Sequence, residues 1–123
     1  MQDPPTVTEL LEATAAFLRD VAVPQLSGHA SFHARVAANA LDVVKRELEL
    51  RPAAERDEHA RLETLLRVEG SLDELNTLLS RRIAAGEVGL QTPGVADHLW
   101  ATTLAKVAID QPTYASYRRE TGS

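Results

Sequence analysis

The 123-residue sequence contains no cysteine, which excludes disulfide bonds, thiolate metal sites and a cysteine nucleophile. Aromatic residues are scarce as well, with one Trp, two Tyr and two Phe. A core must therefore come mainly from Leu, Val and Ala, which suits closely packed helices better than a sheet of β-branched residues. These shortages favour an all-α fold.

The sequence also lacks a basic excess and long apolar runs. Its net charge is −5, whereas a protein that binds nucleic acid needs a clustered basic surface. No stretch approaches 18 uninterrupted apolar residues, and MQDPPTVTELLEAT at the start does not have the basic and then apolar pattern of a signal peptide. We expect a cytoplasmic protein of bacterial origin that binds neither nucleic acid nor membrane.

The amino-acid composition is that of a folded globular protein. Hydrophobic residues make up 44% and charged residues 25% of a chain that is the size of one ordinary domain. We predict a single-domain bundle of four or five helices over residues 1–123, with an extended lead at 1–5 and a C-terminal tail at 113–123.

Local signals predict where the helices begin and end. Capping boxes at Thr6-Val-Thr-Glu9 and Ser71-Leu-Asp-Glu74 open two of them. Pro52 is expected to separate the long second helix from a third one that stops at Gly70. The glycine-rich segment 86–94 is the longest predicted loop, and Thr92-Pro93 is expected to cap and start the last helix.

The stretch from Ser27 to Leu50 is the most informative part of the chain. At 100° per residue its apolar side chains, Phe32 and Val36 among them, cover about two thirds of the circumference, far more than the ~100° stripe of a surface helix. This breadth predicts a central, buried helix. Val36→Asp is then expected to unfold the domain.

Two histidines, His29 and His33, fall within this apolar arc, four residues apart and therefore on one helical face. Our first interpretation is structural, with the imidazoles donating to backbone carbonyls or carboxylates. The alternatives are a metal site and a catalytic role. The metal motif is incomplete, because Ala30 stands where a zincin has Glu and no Glu-x-x-His pair occurs. Other helices could complete such a site through His59, or through Asp97 and His98.

Other polar residues lie at the edges of predicted apolar faces. Arg35 and Asn39 border the central helix and, with His29 and His33, form the candidate binding cluster. We interpret Asn39 as capping a neighbouring backbone group, with ligand recognition as the alternative. Asn76 predicts an interhelical hydrogen bond, and the spacing of Trp100 predicts burial.

Enzyme signatures are scarce. The sequence has no Gly-x-Ser-x-Gly elbow, no phosphate-binding glycine loop and no dinucleotide fingerprint. We therefore expect no cofactor and no catalytic residue, although the enzyme question stays open.

Four segments carry a family resemblance. They are Phe32-His-Ala-Arg-Val-Ala-Ala-Asn-Ala-Leu41, Leu75-Asn76, Ile83-Ala-Ala-Gly86 and Asp110-Gln-Pro-Thr-Tyr114. Together they resemble a small bacterial family of unknown function, encoded beside acyl-CoA dehydrogenase-like enzymes and aminoglycoside-phosphotransferase-like kinases. The resemblance implies an accessory role and transfers no catalytic residue. At about a third of the usual length, the chain is too short to be a flavin dehydrogenase itself.

The sequence thus favours a non-catalytic accessory or interaction protein that works as a homodimer or with a larger protein partner. The alternative is a helical bundle that binds a metal or small ligand through His29 and His33. A third possibility is a catalytic subunit that another chain completes.

Overall fold

A computed structural model of the chain describes residues 4–122, so the first part of the expected lead, residues 1–3, lies outside the described residues. No strand occurs between residues 4 and 122, and the predicted all-α fold is confirmed. The elements are α1 (Val7–Phe17), a π-helical turn (Leu18–Ala22), α2 (Val23–Gln25), α3 (Gly28–Leu66), α4 (Leu72–Ala84), α5 (Val95–Asp110) and α6 (Ala115–Thr121). The expected C-terminal tail therefore contains a helix, α6.

The chain forms two compact units, which meet in sequence between Leu50 and Arg51. Helix α3 contributes residues to both. The expectation of one cooperative domain stays a prediction. In the described part of the chain, no helix combines the length and the apolar character that crossing a bilayer requires.

Helix α3 runs through Pro52, so the prediction of two separate helices on either side of this proline is wrong. The proline ring fixes φ near the helical value and removes only one N–H group from the ladder. The neighbouring residues 48–53 are exposed, so water can bind the carbonyl of Leu48 that loses its partner. An ion pair also stabilises the turn that contains Pro52, because Nε of Arg51 donates to the Glu55 carboxylate at 2.7 Å.

The first unit is a helical hairpin. Nζ of Lys45 lies 2.6 Å from the Glu12 carboxylate, and Arg19 lies 2.5 Å from Asp42, so the two arms run antiparallel. Thr6 caps α1 by accepting from the backbone N–H of Glu9 at 3.1 Å. Only half of the predicted capping box forms, because the Glu9 carboxylate accepts from the Thr6 hydroxyl instead of the backbone.

From residue 4 to residue 50, the buried residues of this hairpin are all alanines. Ala38 is fully buried, and Ala15 and Ala34 are 3% and 9% exposed. Small side chains let two helix axes approach closely, but each contributes little apolar area. We call these three residues the alanine seam.

The second unit has a leucine core. Leu62 and Leu66 of α3 pack with Leu75 and Leu79 of α4. The capping box at Ser71 is complete and fixes the start of α4, as predicted. Its hydrogen bonds to the Ser71 backbone and hydroxyl lower the pKa of Glu74.

Two polar contacts join α3 to α4 and the turn before it. The predicted interhelical bond of Asn76 is present, since its amide donates to Glu58 at 3.1 Å. Nε2 of His59 lies 2.7 Å from the carbonyl oxygen of Gly70. The contact of His59 thereby fixes the end of the turn between the two helices.

The two turns of this unit depart from the sequence expectations. Helix α3 ends before Arg67, which adopts the left-handed conformation at φ 58°, whereas Gly70 was the predicted stop. Helix α5 is capped by Gly94 at φ 88° and not by Thr92. The Thr92 hydroxyl is already engaged, because it accepts from the N–H of Gly89 at 3.0 Å.

Candidate functional site

The structure places His29 and His33 on the surface of the first unit. Both imidazoles are exposed, and their ring centroids lie 6.4 Å apart, while the Phe32 ring meets His33 edge-on at 5.5 Å. Within residues 4–122 neither imidazole has a hydrogen-bond partner, so the expected structural bonds do not form there. The same residues contain no group of three His, Asp or Glu side chains that could hold a metal ion.

The other two candidate residues also lie at the surface, but they differ in their contacts. Arg35 is exposed, whereas Asn39 accepts a hydrogen bond from the Arg19 guanidinium at 2.8 Å. The partner of Asn39 is therefore a side chain and not the backbone group that we expected. The same guanidinium binds Asp42, and this hydrogen bond, supported by the positive charge, lowers the pKa of Asp42. Asn39 thus helps to join the two arms of the hairpin.

Several large apolar side chains are exposed on the outside of the hairpin. Phe32 is 57% exposed and Phe17 is 56% exposed. Val36 is 46% exposed, so the prediction of a buried central helix is wrong at this position, and with it the expectation that Val36→Asp unfolds the domain. Between residues 4 and 50 there are ten exposed large apolar residues, which we call the hairpin surface: Val7, Leu10, Phe17, Val21, Leu26, Phe32, Val36, Val44, Leu48 and Leu50.

The spacing of the hairpin surface explains why the sequence pattern predicts burial at exposed positions. On the first arm the members Val7, Leu10, Phe17 and Val21 follow heptad-like intervals, so they share one helical face. The buried Ala15 lies on a different face. It is rotated about 100° around the helix axis from Thr14, which continues the spacing of the exposed residues. A broad apolar arc therefore contains both an inward and an outward face, and composition alone does not separate them.

The second unit contains a polar pair that the sequence did not single out. Nε of Arg61 lies 3.2 Å from Nδ1 of His98, which is only 3% exposed. One signal was available, because Arg61 immediately precedes Leu62 and stands four residues before Leu65, at the edge of the leucine stripe. The partner across the unit could not be read from this spacing. Trp100, expected in the core, is 51% exposed.

Residues 24–114 match the model of a family described as Domain of unknown function (DUF6285). The match covers the second half of the hairpin and almost all of the second unit. No curated protein and no solved structure shows a significant match to the chain.

Proposed function

We propose that this chain, which belongs to the DUF6285 family of unknown function, is a non-catalytic accessory protein that acts through the hairpin surface. The observation that carries the proposal is the inverted distribution of apolar side chains in the first unit. Among its described residues the buried ones are alanines, while ten large apolar residues remain exposed. A surface of this kind marks a site for a protein partner.

We propose that the partner bound at the hairpin surface is a second copy of the chain. The transfer free energy of an apolar side chain corresponds to about 60–120 Å² of buried area, so ten half-exposed side chains present on the order of 300–600 Å². Together with their polar neighbours they approach the ~800 Å² per partner of a standard interface. Two antiparallel hairpins that pair through the same face form a four-helix bundle with twofold symmetry.

The charges of the hairpin favour this occupant over a charged partner. Arg19 pairs with Asp42, and Lys45 pairs with Glu12, so both ion pairs are formed within one chain. An apolar face beside neutralised charges is complementary to itself. The dimer would serve a larger enzyme of the acyl-CoA dehydrogenase-like or phosphotransferase-like class, in the cytoplasm of a bacterium.

Light scattering coupled to size exclusion tests the dimer. We expect the native chain to elute at twice its monomer mass, and Phe17→Glu and Val36→Asp each to elute as monomers that keep their helical circular dichroism. Leu90→Glu is the matched control, because Leu90 is 72% exposed and lies in the other unit. A native chain that stays monomeric at 100 μM would contradict the proposal.

The alternative function, a metal or small ligand held by His29 and His33, predicts a different result. Elemental analysis of protein purified without a histidine tag would show near-stoichiometric metal that His33→Ala removes. The proximity of the two rings favours this alternative, and a third ligand would have to come from a partner or from solvent.

A further inference from the structure

A cavity of about 670 Å³, wide open to solvent, lies in the second unit, between the end of α3 and the start of α5. Apolar groups line part of it, including Leu65 and Pro93. Its polar lining comes from Arg61 and Arg67 on one side and from Asp97 and His98 on the other.

Arg61 and Arg67 bring two positive charges to the cavity. Within the described residues neither guanidinium forms an ion pair, although Asp97 lines the same cavity. Arg61 is bound only to neutral groups, with Nε at 3.2 Å from Nδ1 of His98 and a terminal nitrogen at 3.2 Å from the Thr102 hydroxyl. These two bonds hold a partly buried cation in one orientation and leave its charge without a counterion.

His98 supplies a second donor. Because arginine can only donate, Nδ1 of His98 accepts, and the proton of the neutral ring is on Nε2. No described residue provides an acceptor for that N–H group. His98 as a whole is only 3% exposed, but within residues 4–122 every fully buried side-chain nitrogen or oxygen atom has a hydrogen-bond partner, so the unpartnered Nε2 is accessible from the cavity, where a ligand oxygen can bind it.

The start of α5 adds backbone donors. Gly94 caps the helix without a side chain, and no acceptor among residues 4–122 is bound to the N–H groups of Ala96 and Asp97. A helix N-terminus carries partial positive charge and attracts anions. The donor groups on both sides of the cavity therefore all favour an anionic ligand.

We propose that this cavity binds a small organic anion, whose phosphate or carboxylate head contacts Arg61, Arg67 and His98 while an apolar body lies against Leu65 and Pro93. Asp97 weakens binding through repulsion and so limits affinity. This site lies in a different unit from the hairpin surface and does not depend on dimer formation.

NMR titration of the full chain tests the site, with phenyl phosphate, benzoate and the neutral benzyl alcohol as probes at constant ionic strength. We expect saturable shifts of the Arg61 and His98 side-chain signals with the two anions and none with the alcohol. The anion that binds more tightly identifies the head group. Absence of saturation by both anions overturns the proposal, as does an equal response to benzyl alcohol.

Variants establish which residues are responsible. Arg61→Gln should weaken binding tenfold or more, as expected for the loss of a hydrogen bond between charged groups. Arg67→Ala, which changes an exposed residue and leaves the packing intact, should also weaken it, whereas Asp97→Asn should strengthen it. Arg56→Ala is the control of equal charge outside the cavity. If Arg56→Ala weakens binding as much as Arg67→Ala does, the attraction is nonspecific and the proposal fails.

Discussion

The Nε atom of Arg61 donates to Nδ1 of His98 over 3.2 Å, so a cation stabilises the neutral form of a buried imidazole. Burial, and after it the positive charge of Arg61, lowers the pKa of His98, while Glu58 acts in the opposite direction. Protonation of His98 would remove the acceptor and bring two positive charges together. The pair is therefore sensitive to acid.

This arrangement predicts a loss of stability in mild acid. Because the pKa of His98 is lower in the folded chain than its ordinary value of 6.5, the unfolded chain binds the proton first as the pH falls. The contribution of His98 to the free energy of unfolding should be complete above pH 6.5 and should decline below it. Thermal unfolding between pH 5 and 8 measures the effect, and His98→Gln should flatten this part of the profile. The control His29→Gln should retain it, and an unchanged slope in His98→Gln would contradict the assignment.

Arg67 allows stability and ligand binding to be separated. A left-handed conformation costs an ordinary residue about 1–2 kcal/mol, and glycine avoids this cost but loses more chain entropy on folding. Arg67→Gly should therefore raise the free energy of unfolding by up to about 1 kcal/mol while it weakens anion binding. Urea denaturation and the NMR titration measure the two effects. A variant that is less stable than the native chain would show that the Arg67 side chain itself stabilises the turn.

Ala38 offers a test of the alanine seam. Its side chain is fully buried, so the larger side chain of Ala38→Leu has no space and should destabilise the chain by about 1–3 kcal/mol. Ala37 is exposed, and Ala37→Leu should change stability by less than about 0.5 kcal/mol. Chemical denaturation of the two variants gives the comparison. Equal effects would mean that the hairpin arms do not meet at Ala38.

Leu62 provides the corresponding test in the second unit. Leu62→Ala removes a fully buried side chain and should lower the free energy of unfolding by about 2–5 kcal/mol. Leu90→Ala, at a residue that is 72% exposed, should be nearly neutral. A small effect of Leu62→Ala would indicate that the leucine core rearranges to fill the space that the substitution leaves.

The prediction of one domain can be tested with Trp100, the only tryptophan of the chain and a reporter of the second unit. If the two units unfold together, tryptophan fluorescence and far-ultraviolet circular dichroism should give the same urea midpoint. We expect coincidence, because α3 passes through both units without a break. Two separate midpoints would show that the hairpin and the leucine core fold independently.

The sequence predicted features that depend on near neighbours. The capping box at Ser71 and the polar contact of Asn76 follow from short-range spacing, and both are present. The path through Pro52 was missed, because a proline inside a helix costs about 3 kcal/mol and therefore predicts a stop, whereas this 39-residue helix continues despite that cost. The cap at Gly94 was missed because Thr92 has the right chemistry for a helix cap but uses its hydroxyl in the preceding loop.

The candidate sites were harder to predict, because they depend on which side of an apolar arc faces inward. Phe32 and Val36 are more hydrophobic than Ala34 and Ala38, yet the alanines are buried. Local hydrophobicity ranks these positions in the wrong order. In the same way, Arg61 and His98 are 37 residues apart, and no local pattern connects them.

The alanine seam has a consequence for how the family can vary. At Ala15, Ala34 and Ala38 nearly every replacement adds atoms to a closed space, whereas the hairpin surface can exchange one large apolar side chain for another. Natural variation should therefore be limited by volume at the seam and by polarity on the hairpin surface. Two positions as close as Val36 and Ala38 would then differ in which amino acids selection retains, although both are apolar and belong to the same helix.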